Sequence, residues 1–559
     1  MRRHTPGRLA AIALFAACVS AAPSSAQPAA TPPPLPTPAP LVYPSPSASN
    51  APAPGAAPSG APQQVPPAPG PTPTPPPITV APDNALVPIG SPVRLTIGSV
   101  FNPIAATARD PSIVDVAVDQ ASLTVTLSGK KPGSTVVTVS DARGLSRDVP
   151  VRVGYSAGSV PGQITLSITG DPASADFIRT VVASTVARAA QARPGAQVVV
   201  GPDDVPFKGD LAQDRIATVN VPVLIQGNAY FEVDASTRVD VRNVAAPRIS
   251  PDSLMVSDYP ERLEENGSLF TADLRSEAPS RFLYFHYNPP GQPDRRIVLR
   301  ADNRSSQPAM VQFISGRGGP TPNEMEAGHT ATRAFLINVA QNQGRIIAIP
   351  GNTSINIAEQ DLPAGNVACN LLQLRMLSGS GVHLTLFAQG ADGNPNEPLG
   401  TGDLLEGAHK HARGIYPIPE FYYATQWNVN GEYLELPIGQ IPLPNDLQGQ
   451  ALSGDYGVLQ SFVVTLQNPL STPQSIAIYE NPRGGRATAT YIIDGVLVQS
   501  HQVPPYSRYK IRQYVVPARG FVRVTIVTMP EAGSSYPLKL IFAPDDGSVP
   551  PGGPGSPVY

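Results

Sequence analysis

The chain has almost no cysteine, two residues in 559, at Cys18 and Cys369. If a leader carrying Cys18 is removed or Cys18 is lipidated, Cys369 has no partner within the chain, so packing rather than a disulfide framework must supply stability. Charge is scarce as well. Charged residues make up 14% of the chain and the formal net charge is -3, which leaves no basic footprint for nucleic acid or for an anionic membrane surface. Outside residues 9–22, no apolar run approaches the roughly 20 residues that cross a bilayer, so no transmembrane helix is expected in the mature chain. The sequence also lacks Gly-x-Ser-x-Gly, His-Glu-x-x-His and a phosphate-binding glycine loop with its lysine, three local patterns that carry hydrolytic or nucleotide chemistry. No catalytic residue and no cofactor is assigned.

What is abundant is proline and glycine, 68 and 48 residues. Arg2, Arg3 and Arg8, the apolar residues 9–22, and Ser24-Ser25-Ala26 ahead of Gln27 have the order of an export signal spanning 1–26. A second route is lipidation: Phe15-Ala16-Ala17-Cys18 has the form of a lipoprotein box, which would make Cys18 the anchored first residue. Residues 27–78 are a Pro/Ala/Ser tract that cannot bury a core and favours extended, disordered chain. The expected location is therefore periplasmic or at the cell surface, with the later domains held away on a tether. A Pro/Gly-rich tail, 547–559, is expected to be disordered too.

Between tether and tail, short runs of Val, Ile, Thr and Tyr separated by turn residues predict a mainly β, multidomain chain. In 79–155, Val93, Leu95 and Ile97, then Val114, Val116 and Val118, then Leu123, Val125 and Leu127 alternate at period two, the mark of a sandwich-like module. Residues 160–248 carry the one expected helix: Asp171 as cap, Pro172 in the first turn, and Ile178, Val182, Val186 and Ala190 on one face. With strands on either side it makes a small α+β domain.

Asp110-Pro111-Ser112-Ile113-Val114-Asp115-Val116, Gly129-Lys130-Lys131-Pro132-Gly133-Ser134-Thr135, Ser140-Asp141-Ala142-Arg143-Gly144 and Val151-Arg152-Val153 together resemble the N-terminal domain of pilus-assembly secretins. Bacterial immunoglobulin-like repeats of the second type share part of this pattern. The secretin resemblance implies a periplasmic domain serving protein contacts rather than catalysis. Nothing further along the chain resembles the secretin pore.

From 250 onward the sequence repeats. Asn303-Arg304-Ser305-Ser306-Gln307-Pro308 and Asn468-Pro469-Leu470-Ser471-Thr472-Pro473 share an Asn, a Ser and a Pro at the same spacing, and each is followed by Arg-Gly-Gly, at 317–319 and 483–485. Two related β-sandwiches, 250–400 and 415–546, are expected, with both Arg-Gly-Gly segments read as hairpin turns.

Candidate sites are few. His409 and His411 would share a face if they lay on a strand, and with His383 or Glu406 could supply three metal ligands; against that stands a plain solvated linker. Aromatic residues gather at Phe282, Tyr284, Phe285 and Tyr287, and at Phe421, Tyr422, Tyr423, Trp427 and Tyr433. Of these, Tyr422, Tyr423 and Trp427 are candidates for a platform on which sugar rings stack, and core packing is the competing account. Cys369 among Val367, Leu371, Leu372 and Leu374 reads as a core residue. These features predict an exported, non-enzymatic envelope protein that docks on a pilus or secretion assembly. The alternative is a surface protein binding cell-surface glycan, and a glycosidase with motif-free carboxylates is a third reading.

Overall fold

The structure, a computed structural model, describes residues 75–275, 278–391, 403–447 and 449–548. The expected export signal, Cys18 and the expected tether up to residue 74 lie outside the described residues, as does the chain from 549. Ile78, at the tether's end, is buried in the first core.

The first module is a sandwich of two four-stranded sheets. One contains Thr79–Ala81, Val93–Gly98, Thr124–Gly129 and Val114–Asp119; the other contains Ala85–Pro88, Ser146–Gly154, Gly133–Ser140 and Ala105–Ala108. The period-two residues Leu95, Ile97, Val125 and Leu127 meet Val137, Val139, Val149 and Val151 across the core, as alternation on a pleated strand requires.

In the α+β unit, Gln163–Thr169 and Val233–Asn243 pair in parallel, and the helix Ala175–Ala189 buries Ile178, Val182 and Val186 against them. Its cap is Ser174, whose hydroxyl accepts the Phe177 N–H, and not Asp171 as the sequence suggested. The helix starts a turn later because Asp171-Pro172 stays in the preceding loop, where the Asp171 N–H bonds the Gln341 carbonyl.

The free edge of Gln163–Thr169 pairs antiparallel with Gly344–Ile349 of the next domain. One ten-stranded sheet therefore runs through both. A buried polar seam closes the junction: Thr169 donates to the Asn342 carbonyl at 2.7 Å, Gln312 donates to Thr169 at 2.9 Å, and Asn342 donates to the Ala246 carbonyl at 2.8 Å. Opposite the second half of this sheet stands a four-stranded sheet of Gly267–Asp273, Val382–Gly390, Arg295–Asn303 and Thr353–Leu362. Phe282, Tyr284, Leu299 and Leu372 fill the space between them.

The last sandwich faces a five-stranded sheet (Glu420–Asn428, Leu459–Gln467, Phe521–Thr528, Ala487–Ile493, Val496–Val503) against a four-stranded one (Leu434–Ile438, Leu538–Pro544, Gln474–Pro482, Tyr509–Val516). The chain is thus mainly β and multidomain, and no described helix is long and apolar enough to cross a membrane.

The repeated turns have matching bonds. Asn303 donates to the Gln307 carbonyl and accepts the Ser305 N–H; Asn468 donates to the Thr472 carbonyl and accepts the Leu470 N–H. Each amide also ties down the end of a neighbouring strand, at Ile349 and Val516. Both side chains are buried, so Asn468→Ala is expected to cost about 1–3 kcal/mol, read from urea unfolding; a change within error would mean the turn is not fastened by this amide.

Two features depart from the sequence reading. A second helix, Glu324–Ala340, follows the strand Ala309–Thr321, capped by Asn323. Arg317-Gly318-Gly319 is not a hairpin turn: it lies in that strand under the helix, where a β-carbon on Gly318 would stand 1.8 Å from the Ala327 carbonyl oxygen. Arg483-Gly484-Gly485 is not a hairpin turn either: it connects Gln474–Pro482 to Ala487–Ile493, which lie in opposite sheets of the last sandwich and do not pair with each other. The helix and the hairpin Ala487–Val503 occupy corresponding places in the two sandwiches, each between the strand after the repeated turn and that strand's next antiparallel partner. They pack on each other through Phe335 and Ile492, with Met529, just after the strand Phe521–Thr528, in the same cluster.

Candidate functional site

The outer strand of the five-stranded sheet, Glu420–Asn428, pairs in parallel with Leu459–Gln467 and, among the described residues, has no strand on its other side. Tyr422 is 71% and Tyr423 47% exposed, unusual for large rings in a strand. Facing them, the segment 435–444 leaves the sheet as a proline-rich wall with Ile441 exposed. The two walls enclose an open, largely apolar groove of about 610 Å³.

The groove is fastened at its base. The loop of 439–458 is closed by paired backbone bonds between Leu443 and Leu452. The fully buried Arg281 of the central sandwich donates to the carbonyls of Pro419 and Gly457 and to the Glu420 carboxylate. Both walls are thereby fixed to a rigid body before any ligand arrives, which spares a binding site the cost of ordering itself. Tyr423 also meets Phe462 edge-on, ring centres 6.4 Å apart.

Asp455 lies in the lining of this groove, in the turn Gly454-Asp455-Tyr456-Gly457. It is 2% exposed and has φ of +53°, a left-handed conformation that Asp tolerates better than most residues. Its Oδ1 has no hydrogen-bond partner, and Oδ2 accepts only a long bond from Gln460 at 3.5 Å. Loss of water pushes its carboxyl up to about 7. A buried, unpaired carboxyl on a strained residue is costly to keep, and such costs gather at sites of function. Among the described residues no Lys, Arg or His lines the groove, and its other carboxylate, Glu435, is paired with Lys539.

The structure brings Tyr422 and Tyr423 to this site but not Trp427. That ring is 8% exposed, packs near Phe542 in the core and donates its N–H to the Glu432 carbonyl at 2.6 Å. Tyr433 is exposed elsewhere, beneath the Arg508 guanidinium. Phe282, Tyr284 and Phe285 are core residues. Cys369 is buried beside Ala331 and Phe335, and burial raises its thiol pKa far from reactivity.

His409 and His411 line a separate cavity of about 350 Å³ together with Glu406, but the residues around them are loop and not strand. Three of the four possible ligands are otherwise engaged. His411 is paired with Asp258 and Glu261, which raise its pKa; Glu406 accepts bonds from Tyr259 and Arg413; His383 is bonded to Asp273. Among the described residues, no three His, Cys, Asp or Glu side chains come together as a metal set. Sequence reasoning missed two further groups. Asp258, pushed up to about 7 by burial, sits near Glu261 and Glu324 in a small cleft beside the last sandwich. His329 and Glu531 form a buried pair at 2.9 Å between the second helix and the last sandwich.

No protein-family model matches the chain, and no curated protein matches it. Among solved structures it is similar to the human desmocollin-1 ectodomain (10% identity, 32% of this chain and 43% of that one, TM-score 0.12). It is also similar to SGBP-B of a Bacteroides ovatus mixed-linkage glucan utilization locus, solved with a mixed-linkage heptasaccharide (9%, 52% and 71%, TM-score 0.13), and to a carbohydrate-binding module of the β-sandwich superfamily (12%, 57% and 98%, TM-score 0.13). The chain covers half or less of the first three such structures. Likenesses with TM-scores this small carry no argument about function.

Proposed function

We propose that this is an exported carbohydrate-binding protein of the cell surface, without catalysis of its own, which offers the groove of its last sandwich to a glycan. The observation that supports this reading is the pairing of exposed Tyr422 and Tyr423 with the buried, unpaired Asp455 in one preformed groove. Sugar rings present apolar C–H faces that stack on aromatic side chains and hydroxyls that need fixed polar partners. A groove with rigid aromatic walls and a few inward polar groups answers both needs. The tether and the first two domains act as a spacer on this reading.

Tyr422→Ala should weaken retention on cell-wall or capsular glycan about tenfold, which is about 1.4 kcal/mol. Its melting temperature should hardly change, since the ring is exposed. Affinity electrophoresis through glycan-loaded gels reads the first, thermal unfolding the second. Unchanged mobility shift in the variant would remove the groove from the account. Docking on a pilus or secretion assembly through residues 79–155 rests on the wording of that segment alone; deleting it should leave glycan retention intact.

A further inference from the structure

Building on the glycan reading, we infer that the groove selects an amino sugar carrying a free ammonium group, with Asp455 as its counter-ion. The argument begins with what Asp455 lacks. Every other carboxylate in the groove's lining has a cationic partner: Glu435 has Lys539. Asp455 has none, and its single bond, from Gln460, is long. A carboxyl group held away from water needs a cation or close donors to ionise. No described side chain in the lining supplies that charge, so a cation that pairs with Asp455 would come from the ligand.

The surrounding chemistry favours the same kind of ligand. The faces of tyrosine and phenylalanine rings attract an ammonium group through their negative quadrupole, and Phe421, Tyr422, Tyr423 and Phe462 all line the groove. An anionic sugar is disfavoured twice, by Asp455 and by the absence of any Lys, Arg or His among the described lining residues. A neutral sugar would stack on the tyrosines and offer Asp455 hydroxyl donors, but no compensating charge. A deacetylated amino sugar uses both features, its ring on the aromatic wall and its ammonium at the acid. The raised pKa of Asp455, about 7, agrees with a site that is incomplete without a cation.

The test titrates the full-length chain with glucosamine, N-acetylglucosamine and glucose oligomers of equal length, at one pH and ionic strength. The glucosamine oligomer should bind at least about tenfold more tightly than the other two, the scale of a charge-assisted bond in a sheltered site. Asp455→Asn keeps the shape, suits the left-handed backbone and removes an unpaired charge, so the variant should fold at least as stably. In it the glucosamine oligomer should fall to the level of the glucose oligomer. Equal affinity for all three sugars, or a preference that survives in Asp455→Asn, overturns the inference and leaves the glycan reading in place. Binding to none of them, or only to a lysine-rich peptide included as a control, overturns both.

Discussion

Gly318→Ala is expected to unseat the second helix and lower the melting temperature sharply. A β-carbon at 318 would stand 1.8 Å from the Ala327 carbonyl oxygen and 2.9 Å from the Ala331 nitrogen, and one at the neighbouring Gly316 would stand 2.2 Å from the Phe335 nitrogen. Those are backbone atoms of a packed helix, which no side-chain rotation moves aside. Overpacking costs about 1–3 kcal/mol where neighbours can yield; here a helix must lift off its sheet, so about 4 kcal/mol is expected. Gly328 repeats the arrangement on the helix's other side, 1.7 Å from the Ala532 carbonyl oxygen. Gly328→Ala should therefore loosen the last sandwich while the helix stays on its own sheet. Limited proteolysis separates the two cases, and a wild-type melting curve for Gly318→Ala would contradict this packing.

Removing the Glu531 carboxylate is the second large effect. Glu531 is fully buried and accepts bonds from His329, Thr488 and Thr490. Breaking a buried pair by deleting one partner typically costs about 3–5 kcal/mol, because the other partner is left desolvated and alone. Glu531→Ala should pay that penalty at the contact between the helix and the last sandwich. The pair also sets a pH dependence. Burial by itself lowers the His329 pKa, but the bond and charge of Glu531, with the Gln499 bond to Nε2, outweigh it, and the net shift is upward. A histidine whose folded pKa lies above its unfolded value stabilises fully below the unfolded value, near 6.5, and loses that contribution as pH rises through the folded value. Stability of the wild type relative to His329→Gln should therefore shrink from pH 6 toward pH 9 in thermal unfolding. A difference that grows with pH would show His329 to be neutral in the folded protein.

These two predictions concern residues that local patterns hid. The first helix was legible because Ile178, Val182 and Val186 form an apolar stripe at helical spacing. The second buries small residues over its first half, Ala327, Gly328 and Ala331, and large apolar ones only further on, at Phe335 and Leu336. Small residues give little hydrophobic signal, and their meaning lies in the match to Gly316 and Gly318 on a strand earlier in the chain. Asn323 and Glu326 do stand at capping-box spacing, a start signal that was present and unused. The sandwiches were readable from period-two alternation, and the paired Asn turns from repetition, since both are local.

The groove was half legible. Aromatic density pointed to Tyr422 and Tyr423, but the same signal pointed to Trp427, because exposure differs along one strand: its first half looks onto the groove and its end is covered by the core around Phe542. Asp455 carried no pattern at all. Ser453-Gly454-Asp455-Tyr456-Gly457 reads as a turn, and only the fold shows that this turn buries a carboxyl between walls contributed by residues 421–423 and 435–444.

The central claim, that the last sandwich binds a glycan in this groove, is tested most directly by hydrogen–deuterium exchange of the full-length chain with and without a bound oligosaccharide. The account predicts added protection confined to residues 420–428 and 439–460, with the first module and the central sandwich unchanged. Protection elsewhere, in the cavity around His409 and His411 or in residues 79–155, would contradict it.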